Sequence, residues 1–191
     1  MPDPINKPTK KTGAWSTARQ HLATWEKPAL VDLVKDLYEA AAENRDFIQA
    51  RCQAEDGGEA LEKYRQKIIG HFFSKKAHGM SELKLGEARK AIRDYRKATG
   101  NIPGTAELLM TYVENGLKFT NEYGDVNERF YSSVESALEE LAALFRGDAR
   151  ALYPQFNGRL EKIEQETDGI GWGFHDTVAY VVGLLKDELG K

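Results

Sequence analysis

Apolar residues recur every three or four positions along most of this chain, which is the spacing of one face of an α-helix. The first clear stripe follows Pro28, a residue suited to the first turn of a helix, and consists of Leu30, Leu33, Val34, Leu37, Tyr38 and Ala41. The same period predicts further helices over about residues 44–53, 59–73 and 81–99. No segment alternates with the period of two that would predict a strand convincingly.

The next two predicted helices have recognisable starts. Thr105 is a candidate N-cap for a helix that carries Gly116 on its apolar side, where a glycine permits close helix contact. Asp125 and Glu128 have the spacing of a capping box, and they precede a strongly apolar stripe that ends near Gly147.

The last part of the chain is punctuated by proline and glycine. Asp148 can cap another helix, which Pro154 is expected to divide. Three glycines, at positions 169, 171 and 173, mark a turn into a final helix. Helices of this length with short connections predict an all-α fold, either an irregular bundle or a short stack of antiparallel helical hairpins.

A chain of 191 residues fits one domain. We expect residues 1–15 to form a flexible N-terminal tail and residues 16–191 to form a single helical domain, with possible halves at 16–100 and 101–191. Cys52 is the only cysteine, so no disulfide forms within the chain; we expect it to be a buried, inert residue. The apolar runs are too short for a membrane span, so we expect a cytoplasmic protein without membrane partners.

Four segments resemble a family of uncharacterised small bacterial all-helical proteins that form a domain of unknown function. They are residues 33–51, 83–98, 112–125 and the Gly-Ile-Gly-Trp-Gly-Phe-His-Asp motif of residues 169–176. The resemblance covers most of the chain beyond the tail. It implies the helical fold and a bacterial origin, and it supplies no catalytic residues to carry over.

Residues 62–97 are locally basic, with eleven Lys or Arg against four Asp or Glu. Several cations fall on neighbouring turns of the predicted helix or in the connection before it, and together they form a candidate phosphate-binding patch: Lys75, Lys76, Arg89, Arg93, Arg96 and Lys97. The alternative is that these cations only form the solvent-exposed face of the helix and bind no ligand. After Gly100 acidic residues outnumber basic ones sixteen to eight, and we favour internal pairing between these oppositely charged parts.

Two polar clusters are candidate binding sites. Asn121, Tyr123 and Asp125 lie at a tight turn and offer oxygen atoms to a ligand or cation, although the same residues suit capping and packing. His175 and Asp176 lie near the start of the last helix, beside Trp172, and offer acid–base groups. Neighbouring residues on a helix diverge, and no second His stands at ligand spacing, so we favour a cap beside a buried Trp172.

No phosphate-binding loop, nucleophile elbow or zinc-binding His pair is present, and we assign no catalytic residue, metal or cofactor. We therefore predict a non-enzymatic helical module that binds a protein or peptide, and the sequence leaves the oligomeric state open. The first alternative is a nucleic-acid-associated protein that uses the basic helix at residues 84–97. The second is an unrecognised metal-dependent or hydrolytic enzyme built from His71, Glu122, Asp125, His175 and Asp176.

Overall fold

The computed structural model describes residues 12–52, 58–73 and 83–190, and these ranges are all-α, as the periodicity predicts. The helices are α1 (Thr12–Leu22), α2 (Lys27–Ala40), α3 (Ala42–Cys52), α4 (Gly58–Phe72), α5 (Leu85–Thr99), α6 (Ile102–Tyr123), α7 (Glu128–Arg146), α8 (Tyr153–Glu166) and α9 (Phe174–Leu189), with a 3₁₀ turn at Arg150–Leu152 before α8. No strand occurs in these ranges. None of the described helices is both long and apolar enough to cross a membrane.

The chain divides into two units, residues 1–46 and 47–191. In the first unit, α2 has the expected apolar stripe but no buried residue. Val34 and Leu37 of that stripe are exposed, and so is Val31 beside it. In the second unit, helices on both sides of Gly100 share one hydrophobic core. That one domain spans residues 16–191 stays a prediction.

Helix α6 is the centre of the second unit, where it contacts α4, α5, α7 and α8. Thirteen of its 22 residues are buried, so it is apolar on almost every side. The ring of Phe72 on α4 lies 5.0 Å from that of Tyr112 on α6, and the ring of Phe119 lies 5.8 Å from that of Phe130 on α7. Aromatic side chains thus join α4 and α7 to α6.

Helices α6 and α7 pack closely because Gly116 has no side chain. A Cβ at Gly116 would lie 2.7 Å from Cγ2 of Val134, closer than two carbon atoms can approach. Along the same contact, the Tyr112 hydroxyl is hydrogen-bonded to the Ser133 hydroxyl at 2.7 Å. Phe119 meets Phe130 nearer the connection, so α6 and α7 form an antiparallel hairpin.

Both predicted caps of these two helices are wrong by a few residues. Asn101, not Thr105, caps α6: its side chain accepts a hydrogen bond from the Gly104 N–H at 2.7 Å. Asn127, not Asp125, caps α7 by accepting from the Phe130 N–H at 3.0 Å. Asn is as good an N-cap as Asp or Ser, and the periodicity cannot choose among candidates one turn apart.

Three other predictions differ from the structure. Pro154 begins α8 instead of dividing a helix, because its missing N–H costs nothing in the first turn. Helix α1 starts at Thr12, inside the stretch predicted as a flexible tail, and residues 1–11 lie outside the described ranges. Cys52 at the end of α3 is exposed, not buried.

Candidate functional site

The turn between α6 and α7 is fixed by a hydrogen bond between two of its side chains. The Tyr131 hydroxyl donates to Oδ1 of Asp125 at 2.7 Å. Burial raises the pKa of the Tyr131 phenol, and the neighbouring Asp125 carboxylate also raises it. Tyr131 therefore stays a neutral donor at physiological pH, and it holds Asp125 in place.

The turn between α8 and α9 has an unusual backbone. Gly169, Trp172 and Gly173 all have positive φ angles, of 80°, 64° and 70°. Such angles suit glycine, but a bulky residue adopts them only at a cost of about 1–3 kcal/mol. Trp172 is 60% exposed, so the prediction of a buried Trp172 is wrong, and burial of the indole does not explain this backbone.

These two turns lie side by side, which the sequence did not reveal. A Cβ at Gly171 would lie 3.0 Å from Oδ2 of Asp125, so the glycine backbone rests against that carboxylate. The ring of Phe174, the first residue of α9, lies 5.0 Å from the ring of Tyr131. The structure therefore places Asp125, from the first predicted cluster, against the turn that precedes His175 and Asp176.

His175 is held by a buried threonine. Nδ1 of His175 lies 3.0 Å from Oγ1 of Thr167, and that hydroxyl donates its hydrogen to the Glu164 carbonyl at 2.8 Å. Because the hydroxyl hydrogen is used, the Thr167 oxygen accepts a hydrogen bond from Nδ1 of His175. Asp176 follows in the first turn of α9, where its exposed carboxylate complements the helix dipole.

Asn121 and Tyr123 lie in the last turn of α6, just before the α6–α7 turn. The Tyr123 ring packs 4.6 Å from that of Phe119, yet 43% of the residue stays exposed. Asn121 is exposed and lines a cavity of about 310 Å³ between α6 and α8. We call the residues Tyr123, Asp125, Trp172, His175 and Asp176 the turn surface.

Some cations of the predicted basic patch form ion pairs within the protein. Arg89 on α5 bonds Glu140 on α7 at 2.7 Å, and Arg96 lies 3.5 Å from the same carboxylate. Arg93 and Lys97 are exposed on α5. Lys75 and Lys76 lie outside the described residues. The pairs that are seen join the basic and acidic parts of the chain, in the way that the internal-pairing hypothesis expects.

The strongest charged cluster was missed by the sequence analysis. Arg159 on α8 donates two hydrogen bonds to Glu114 on α6, at 2.7 and 2.8 Å, and one to Glu107 at 2.7 Å. Arg65 on α4 reaches Glu107 at 3.2 Å. The hydrogen bonds that Arg159 donates to Glu114, and then the one that it donates to Glu107, raise the pKa of Arg159. The cluster ties α4 and α8 to the central helix.

The residues predicted for the enzyme alternative do not form a metal site in the described part of the chain, where no group of three or more His, Cys, Asp or Glu side chains is placed to hold a metal ion. Burial lowers the pKa of His71 on α4, and so favours its neutral form. Asp125, one of these residues, is held in position by its hydrogen bond with Tyr131 and its contact with Gly171. The enzyme alternative stays a prediction.

No protein-family model, curated protein or solved structure matches this chain. The resemblance to a bacterial family therefore stays a prediction.

Proposed function

We propose that this protein is a non-enzymatic helical interaction module that binds a protein or peptide segment through the turn surface. The observation that carries the proposal is the combination of backbone and exposure at Trp172. Its φ of 64° is costly, and the residue is 60% exposed. Strain at a residue that is largely exposed is typical of a functional site.

The surroundings of Trp172 support the same interpretation. Asp125 and Tyr131 brace the turn from the α7 side through the contact with Gly171 and their mutual hydrogen bond. A rigid aromatic side chain loses little entropy on binding, and Trp and Tyr are enriched among residues that dominate interface energies. Tyr123, half-exposed at the end of α6, adds a second aromatic group to the surface.

The charges near the turn surface favour a cationic partner segment. Asp125 and Asp176 belong to the surface, and Glu122 and Asp168 lie beside it in the chain; all four are exposed. Exposed carboxylates beside an indole attract Lys or Arg side chains, which also stack on the aromatic face. The partner that we propose is therefore a Lys- or Arg-containing protein or peptide segment.

Affinity recovery of the tagged full-length chain from a lysate of the source organism, with and without nuclease, tests the proposal. We expect a stoichiometric protein partner that survives nuclease treatment. The Asp125→Asn and Asp176→Asn double variant is expected to reduce its recovery by about tenfold or more. Recovery that depends on nucleic acid, or that is unchanged in this variant, would contradict the proposal.

One observation favours a second function, nucleic-acid binding by α5. Arg93 and Lys97 stand one turn apart and are exposed, and in the described ranges no carboxylate lies within ion-pair distance of either cation. In this alternative, binding of a DNA or RNA oligonucleotide weakens steeply with salt and is lost on charge reversal at both positions. Binding that survives the reversal would reject α5 as the contact surface.

A further inference from the structure

A cavity of about 310 Å³ lies between α6 and α8, near their C-terminal ends. Its apolar walls include Leu117 and Ile163, each only 3% exposed. A volume of this size is at the lower end of the range for small-molecule sites, which combine apolar walls with a few polar groups. The cavity is therefore the size for a small ligand or a single terminal residue.

Most charges around this cavity already have partners. Arg159 is bound by Glu114 through two parallel hydrogen bonds and by Glu107 through a third. Lys162 lies 3.5 Å from Glu166, one turn further along α8. Both cations on the α8 side are thus neutralised within the protein, and so are the carboxylates that face them.

Two polar groups on the α6 side remain. Lys118 and Asn121 are three residues apart, so they project from one face of the helix, and both line the cavity. The Lys118 ammonium lies 5.1 Å above the Phe73 ring, and among the described residues no carboxylate is within ion-pair distance of it. The Asn121 amide likewise has no hydrogen-bond partner among those residues.

We propose that this cavity binds a monocarboxylate with a small aliphatic body. The carboxylate is bound by the Lys118 ammonium and the Asn121 amide, and the aliphatic part lies against Leu117 and Ile163. One cation that has no carboxylate partner among the described residues matches one negative charge, and a charge-assisted hydrogen bond is stronger than its contact with the Phe73 ring. The site does not depend on the turn surface or on a macromolecular partner.

The same charge balance limits what else the ligand carries. A free amino acid adds an ammonium group, and the carboxylates of this cavity are already paired with Arg159 and Lys162. The fitting chemistry is therefore a carboxylate without a nearby ammonium. Two sources supply it: the C-terminal residue of a peptide, whose nitrogen is a neutral amide, and a free branched-chain aliphatic acid.

The test is an NMR titration of the full chain with N-acetyl-leucine and, as a matched control, N-acetyl-leucinamide, which lacks the carboxylate. We expect N-acetyl-leucine to shift the amide signals of Leu117, Asn121 and Ile163, with a dissociation constant of about 1 mM or tighter. The amide should bind at least about tenfold more weakly. Equal shifts with acid and amide, or none at these residues, would overturn the proposal.

Two variants assign the carboxylate contact. Lys118→Met keeps an exposed, unbranched side chain and should weaken N-acetyl-leucine binding by about ten- to a hundredfold, whereas Lys162→Met should change it less than about threefold. An amide spectrum that otherwise matches the wild type shows that each variant is folded. If Lys118→Met leaves the affinity unchanged, the proposed contact is wrong.

A final comparison separates the two sources. A tripeptide that ends in leucine is titrated beside 4-methylpentanoate, which has the same aliphatic body and no peptide bond. Tighter binding of the tripeptide assigns the site to peptide C-termini, and equal or tighter binding of 4-methylpentanoate assigns it to free acids. Failure of both ligands would reject the site, while leaving the Trp172 surface untouched.

Discussion

Asp125 and Gly171, 46 positions apart, are in contact: a Cβ on Gly171 would lie 3.0 Å from the carboxylate Oδ2. The other oxygen of the same carboxylate accepts the Tyr131 hydrogen bond. One acidic side chain therefore joins the α6–α7 turn to the turn that carries Trp172. The turn surface depends on this contact.

Gly171→Ala is expected to disturb that contact. The added methyl group displaces the Asp125 carboxylate from its bond with Tyr131, so the free energy of unfolding should fall by about 0.5–1.5 kcal/mol in urea denaturation. Gly183→Ala in α9, where a Cβ meets nothing within 4 Å, is the control and should stabilise the protein. If Gly171→Ala lowers the free energy of unfolding by the same amount in an Asp125→Ala protein, displacement of Asp125 is not the cause of the loss.

Gly116→Ala tests the packing of the central hairpin. Its methyl group would overlap Val134, and overpacking of this kind costs about 1–3 kcal/mol of unfolding free energy. Gly158→Ala in α8 has open space around its Cβ and should instead add about 0.5–1 kcal/mol. Thermal and urea denaturation measure both. A Gly116→Ala protein as stable as Gly158→Ala would refute the close approach of α6 and α7.

A double-mutant cycle on Arg159 and Glu114 measures the missed ion pair. Because both groups are partly buried and joined by two parallel hydrogen bonds, we expect Arg159→Met and Glu114→Gln to couple by about 1–2 kcal/mol. The same cycle on Lys162 and Glu166, an exposed pair on one helix, should give about 0–0.5 kcal/mol. Equal coupling in the two cycles would contradict the structural role of Arg159.

Glu135 on α7 provides a pH-dependent prediction. Burial, and to a smaller extent the like charge of Glu139, raises the pKa of Glu135 in the folded state above its ordinary value of 4.5. The folded protein then binds a proton more tightly than the unfolded chain, so ionisation of Glu135 costs stability as the pH rises from the unfolded-state pKa through the higher folded-state value.

Glu135→Gln removes this ionisation but retains a side chain that can bond Thr177. Its advantage over the wild type in unfolding free energy should be near zero at pH 4 and should grow towards pH 7, to no more than about 0.5 kcal/mol. Urea denaturation across this range measures the difference. An advantage that shrinks as the pH rises would show that the shift has the opposite sign.

The helices could be predicted from the sequence because burial of an apolar face imposes its period on the chain. The caps were less predictable: Asn127 and Asp125 are both good capping residues, and only the backbone shows that Asn127 bonds the Phe130 N–H while Asp125 bonds Tyr131. Local spacing narrows a helix start to about one turn and leaves the choice to tertiary contacts.

The sequence predicted the two turns of the candidate site separately, but not their contact. Each turn was singled out by its own residues, but their contact depends on how α7 packs against α9, which no local pattern encodes. The ion pair between Arg159 and Glu114 was not predicted for the same reason, since 45 positions separate the two residues. Trp172 was expected to be buried because tryptophan side chains usually are. The glycines on both sides of it were the only local indication that this turn has an unusual backbone.

We propose that Trp172 is retained for binding and not for folding, and the variant Trp172→Gly tests this role. Glycine adopts the positive φ without strain, so the unfolding free energy should change by less than about 1 kcal/mol while recovery of the protein partner falls at least tenfold. Tyr180→Ser removes another exposed aromatic group, two turns into α9, and should leave both quantities nearly unchanged. If Trp172→Gly recovers the partner as well as the wild type does, or loses much of its stability, Trp172 does not have this role.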